Sequence, residues 1–321
     1  MTPKSPFTLH RFEHQQEQLY FLPQEPFALL EQAKSLFLIG SRGTGKTTFL
    51  QALNWREQLS NMALQEHLAG SILERRYIGV YVKTPLMHVP AFDKWLDHST
   101  PELQDSLFST YLDLVWLEEL ANAIAQLLDL GILRARPKQE ASLVHEILQR
   151  ESSLRERRTS VPVTLLQLSR FLYTVRRELE NLAIVDAEST PKELSGLFPI
   201  SQIGGFGRSI CRLLGDFCTK YSGDTDHRPW YFRICLDESE CLSVRQQKVL
   251  NMMIRLSEAP LSYVVSYVRP AEDMTTTCLP NLTLQNADRN ILRLDAMSDT
   301  DFRELCIGVA RSDLPILRSI P

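Results

Sequence analysis

A short apolar run, Ser35-Leu-Phe-Leu-Ile39, leads directly into Gly40-Ser-Arg-Gly-Thr-Gly-Lys-Thr47, and a helical pattern begins at Thr48. The loop fits G-x-x-x-x-G-K-[ST] in full and lies after a strand buried on both faces and before a helix, the context that gives the pattern its purpose. Glycines at Gly40, Gly43 and Gly45 let backbone N–H groups turn together toward an anion, at a helix N-terminus whose partial positive charge favours one. Ser41, Arg42 and Thr44 complete that cradle. Lys46 is spaced to reach the β- and γ-phosphates of a nucleotide, Thr47 offers a hydroxyl to Mg²⁺, and Thr48 adds a phosphate contact.

The same kind of apolar run recurs. Tyr77-Ile-Gly-Val-Tyr-Val-Lys-Thr84, Trp230-Tyr-Phe-Arg-Ile-Cys-Leu236, Ser262-Tyr-Val-Val-Ser266 and Asn290-Ile-Leu-Arg-Leu294 read as four further strands, with helical patterns at 48–58 and 246–257 between them. This alternation predicts an α/β fold, a doubly wound parallel sheet of five strands. Residues 85 to 229 are far more than one crossover needs, so they hold structure of their own. Their pattern is helical. Leu112, Trp116, Leu120, Ile124 and Leu128 recur every four residues with Gly131 as a stop, and Leu165, Leu168, Leu172, Val175, Leu179 and Leu182 form a heptad seam. The seam fits a helix packed inside a bundle or one paired with another chain. The chain thus divides into an N-terminal arm, 1–34, a first part of the core, 35–89, a helical insertion, 90–229, and a second part of the core, 230–321.

Composition narrows the function. The 35 Lys and Arg against 39 Asp and Glu give a net charge of −4, which argues against a basic nucleic-acid-coating surface. Arg150, Arg155, Arg157 and Arg158 form a local cluster that reads as a solvated face or as a partner or nucleic-acid contact. Apolar segment 112–130 carries Asp113, Glu118, Glu119 and Asp129, so no membrane span is expected. The six cysteines show no zinc or disulfide spacing, which places the protein in a reducing cytoplasm. No serine, cysteine or histidine constellation for nucleophilic catalysis is present.

A phosphate loop needs a carboxylate at the tip of a neighbouring strand, and Phe232-Arg-Ile-Cys-Leu-Asp237-Glu238 supplies two acids there. Asp237 is expected to orient the Mg²⁺ shell, and Glu238 to align or deprotonate the attacking water. The order of elements, with a helix and two strands after this pair, resembles AAA+ ATPases. Four phrases make the resemblance closer: Gly40-Ser-Arg-Gly-Thr-Gly-Lys-Thr-Thr48, Asp237-Glu-Ser-Glu-Cys-Leu242, Gln246-Gln-Lys-Val-Leu-Asn251 and Ala287-Asp-Arg-Asn-Ile-Leu-Arg-Leu294. They resemble bacterial AAA+ ATPases of the origin-recognition-complex type, over about residues 30–85 and 230–310.

The resemblance implies more than the residues do. It matches Ser266, at the tip of the fourth strand, to the residue that senses the γ-phosphate, with Arg269 a second match; the plainer reading of Ser266 is a core serine. It matches Arg289 to an arginine finger that enters a neighbour's site; the plainer reading is a surface ion pair with Asp288 or Asp295. Thr275-Thr-Thr277 reads as a polar turn or a ligand contact. Residues 295 to 321 hold one helical pattern, 299–310, and are too few for the helical lid of such ATPases, so no full C-terminal lid is expected. The function expected is Mg²⁺-dependent ATP binding and hydrolysis within a homo-oligomer or with an effector protein, in antiphage defence or a DNA transaction. The alternative is an ATP-state switch that recruits an effector with little turnover.

Overall fold

A computed structural model describes residues 29–30, 32–60, 75–87, 89–95, 100–151, 153–154, 161–185, 191–223, 228–268, 274–279, 281–296 and 303. Most of the N-terminal arm, Arg155, Arg157, Arg158, Arg269 and nearly all of the expected helix at 299–310 lie outside the described residues. The described strands are β1 (Ser35–Ile39), β2 (Tyr77–Lys83), β3 (Tyr231–Asp237), β4 (Leu261–Tyr267) and β5 (Arg289–Arg293). They form one parallel sheet in the order β2-β3-β4-β1-β5. The expected α/β class and parallel five-stranded sheet are therefore present, with each strand within one or two residues of its sequence reading.

The helices between them are α1 (Lys46–Ala52), α2 (Trp55–Ser60), α3 (Val89–Lys94), α4 (Pro101–Asp129), α5 (Pro137–Arg150), α6 (Leu165–Ile184), α7 (Pro191–Leu197), α8 (Gly205–Tyr221) and α9 (Val244–Arg255). The single helix read at 48–58 is thus two. The break has a tertiary cause: Asn54 forms a parallel bridge with Gly79 of β2. A Cβ on Gly79 would stand 1.8 Å from the Leu53 carbonyl oxygen, so only glycine lets the chain approach the strand there.

The sheet is buried on both faces, as its continuous apolar runs require. Leu36, Leu38, Cys235 and Val264 face one layer with Phe49 and Leu50 of α1. Phe37, Ile39, Ile234, Leu236, Tyr263 and Val265 face the other, in one apolar cluster with Leu114, Leu117 and Leu120 of α4 and Leu214 of α8. The long helical stretch therefore supplies the layer that covers one face of the sheet. Within it the heptad seam packs inside the chain: Leu165, Leu168, Leu172, Val175 and Leu179 are buried, and α6 lies along α4. Among the described residues no helix is long and apolar enough to cross a membrane, and no group of three or more His, Cys, Asp or Glu side chains is gathered as a metal cluster. Cys211, Cys218 and Cys235 are buried thiols, and Cys241 and Cys278 are also free.

Candidate functional site: a phosphate loop facing two acids

Every parallel strand ends at the same edge of the sheet, so the loop after β1 and the residues ending β3 and β4 meet there. Gly43 and Gly45 have φ of +85°, a left-handed conformation that residues with a side chain rarely adopt. That geometry bends the loop from Gly40 back into α1. Lys46 is 8% exposed, and its Nζ donates to the carbonyl oxygens of Gly40 at 2.6 Å and Ser41 at 2.8 Å. Burial pulls its pKa down, while Glu240, Asp237, Asp295 and Glu238 oppose the shift. Both carbonyl bonds can be exchanged for phosphate oxygens, which are stronger acceptors for an ammonium. Thr48 is half-buried on α1, and Arg42 stands exposed in the loop.

Asp237 is the centre of the site. It is 1% exposed at the end of β3. Its Oδ2 accepts from the Thr47 hydroxyl at 2.8 Å and the Tyr81 hydroxyl at 3.0 Å. Its Oδ1 accepts from the Ser266 hydroxyl at 2.5 Å and the Glu238 amide at 3.0 Å. The same Glu238 amide also reaches the Ser266 oxygen at 3.0 Å. Ser266 thus lies in the acid network rather than being satisfied by its own backbone, the plainer of its two sequence readings.

Glu238 has φ +56° and ψ +43°, left-handed for a residue with a side chain. Such a conformation costs about 1–3 kcal/mol and persists only where the surroundings fix it; the two bonds on its amide do so. Its carboxylate is turned toward solvent, 41% exposed, with the Lys83 ammonium 4.0 Å away. A base that must reach a water needs that openness. Hard oxygen donors, the Thr47 hydroxyl and the Asp237 carboxylate, stand together beside a glycine-rich loop, a donor set that fits Mg²⁺ and a polyphosphate.

Three residues of this edge carry no motif. Tyr81 and Lys83 reach it because β2 is in register with β3, Tyr81 opposite Cys235 and Lys83 opposite Asp237. Asp295, just past β5, accepts from the Ser41 amide at 2.8 Å, and that bond holds its carboxyl below the usual range. Strand alternation puts Tyr81 and Lys83 on one face of β2, but only the sheet order reveals what they face.

Arg289 lies away from this edge. It is the first residue of β5, opposite Ser35, at the far end of β1 from the phosphate loop. The residue is 6% exposed, its guanidinium lies 4.6 Å over the Phe37 ring, and its Nε and Nη1 have no hydrogen-bond partner. In this structure it neither projects from the surface as a finger does nor pairs with Asp288 or Asp295. Asp288 is taken by Arg255. The side chain of Arg289 runs inward because position 289 shares the face of Phe37, which belongs to the larger apolar cluster. The threonine turn is tied within itself and to α9: Thr277 donates to the Leu279 and Leu282 carbonyls, and the Thr276 carbonyl accepts from Asn251.

A family model described as ORC-CDC6-like matches residues 2–317. The chain belongs to the ORC-CDC6-like family. No curated protein and no solved structure matched it. Membership implies an ATPase of the AAA+ class and hence nucleotide binding, in keeping with the resemblance carried by Gly40–Thr48 and Asp237–Leu242. In this ORC-CDC6-like chain the match runs through the helical stretch as well, which the four quoted phrases left out.

Proposed function

We propose that the protein is an Mg²⁺-dependent ATPase that binds and hydrolyses ATP as part of an oligomeric or multi-protein assembly, with antiphage defence or a DNA transaction as its setting. One observation carries the reading: the Thr47 hydroxyl, the Lys46 ammonium and the Asp237 and Glu238 carboxylates meet at one edge of the sheet. The amides of residues 40–48 bind the phosphates and Lys46 leaves its loop carbonyls for the β- and γ-phosphate oxygens. Thr47 and Asp237 would hold Mg²⁺, which when bound supplies neutralisation of charge on those oxygens. Ser266 and the Glu238 amide keep the Asp237 carboxylate from rotating. Glu238 takes the proton of the attacking water, a role typically worth a factor of about 10² to 10⁴ in rate.

Lys46→Ala is expected to abolish ATP binding, measured by titration calorimetry; micromolar affinity in the variant would sink the assignment. Steady-state hydrolysis followed against protein concentration, with Glu238→Gln as blank, tests the assembly. Specific activity that climbs with concentration supports a site completed between subunits. The burial of Arg289 favours a second reading, an ATP-state switch or scaffold that turns over slowly and recruits an effector through its helical layer. A flat, near-zero rate that rises only on adding a partner protein supports that one.

A further inference from the structure

A carboxylate offers about four lone-pair positions, and on Asp237 all four are taken by the protein itself. Thr47 and Tyr81 share Oδ2; Ser266 and the Glu238 amide share Oδ1. Three of these donors belong to the frame of the site. Thr47 sits in the first turn of α1, Ser266 is fully buried on β4 and the fourth is main chain. Tyr81 differs from them. It stands on β2, which ends the sheet, it is only half-buried, and it belongs to no nucleotide motif.

This inference rests on the Mg²⁺-ATPase reading. A metal shell oriented by Asp237 needs an acceptor position on that carboxylate. Thr47 can offer its oxygen to a metal while its proton stays on Asp237, so it need not leave. Ser266 and the Glu238 amide also bond each other, and releasing either would strand buried polar groups. A half-buried phenol can turn its hydroxyl to water at lower cost.

We propose that Tyr81 is a positioning residue that holds Asp237 Oδ2 in the metal-free protein and yields that acceptor position to the Mg²⁺ shell. Tyr81 thereby sets the Mg²⁺ concentration at which the site loads, separately from the affinity of the loop for nucleotide.

The test is a Mg²⁺ titration of binding to a fluorescent, non-hydrolysable ATP analogue by the full chain and by Tyr81→Phe, which keeps the ring and removes only the hydroxyl. The variant is expected to reach half-saturation at roughly ten- to a hundredfold lower Mg²⁺, the scale of one hydrogen bond to a charged acceptor. Its analogue affinity in excess EDTA should equal that of the unmodified chain. A midpoint that is unchanged or moved to higher Mg²⁺ overturns the proposal, since Tyr81 would then be a bystander or a support of the loaded state. Binding by the unmodified chain that ignores Mg²⁺ altogether would overturn the Mg²⁺ reading beneath it, a result visible before the variant is made. Matching thermal unfolding of the two proteins without metal checks that both are folded.

Discussion

Asp237 and Asp113 are each 1% exposed, yet the fold treats them in opposite ways. Asp237, at the carboxyl edge of the sheet, has four donors, from α1, β2, β4 and the residue that follows β3. Asp113, on the flank of α4, accepts from the Gly207 amide at 2.9 Å on Oδ2, and its Oδ1 has no partner in hydrogen-bond geometry. Burial pushes the Asp113 carboxyl up to about 7. A third acid, Glu180, shows what α4 does when the partner is charged. It is fully buried on α6 against α4, and it accepts from Tyr111 at 3.0 Å and from Arg176 and Arg177 at 2.6 Å each. The difference teaches that depth does not decide what a buried acid is for; the number and rigidity of its donors do.

That contrast can be broken experimentally. A large effect is expected at Glu180. Glu180→Ala would leave Arg176 without one of its two acids and remove the carboxylate that accepts from Tyr111, with a loss of about 3 kcal/mol in urea unfolding, at the low end for a broken buried pair because Arg177 is partly exposed. A loss below about 0.5 kcal/mol, the range of surface changes, would mean that the pair is a spectator. Asp237→Asn comes next, with ATP turnover falling about a hundredfold, the scale of one misplaced charged group at a reacting centre. Asp113→Asn should leave turnover unchanged; if the two variants behaved alike, the division of roles would be wrong.

Buried Asp113 also predicts a pH dependence. Asp113 has a folded pKa near 7 and an ordinary unfolded pKa of about 4. Between those values the folded state holds the extra proton, so stability should fall as pH rises from about 4 to about 7 and level off above it. Unfolding free energies across that window should show the slope in the unmodified chain and a flatter line in Asp113→Asn. A slope shared by both proteins would assign the titration to another group.

Several features were legible without the fold. The strands showed because parallel strands buried on both faces are written as unbroken apolar runs, and the phosphate loop because its glycines and its lysine must stand at fixed spacings. The seam from Leu165 to Leu182 announced a packed helix. Its partner, α4, did not show, since a stripe records which face is buried and not against what. Helix 48–58 was read as one because local propensity has no knowledge of Gly79, a strand residue whose missing side chain admits the Leu53 carbonyl. The burial of Arg289 does not show in the sequence for a related reason. A charged residue at the start of a strand reads as exposed, whereas strand alternation in this sheet points it over Phe37.

By itself the sequence determined the fold class, the loop of residues 40–48 and the acid pair that faces it, because each depends on neighbours within a few positions along the chain. The sheet order decided the rest. Only with β2 beside β3, and β4 on the other side, do Tyr81 and Ser266 come within hydrogen-bond distance of Asp237. Only the run of β5 along β1 brings Asp295 to the Ser41 amide. These contacts join residues tens to hundreds of positions apart, and a hydroxyl on a strand carries no local mark of the carboxylate it will meet.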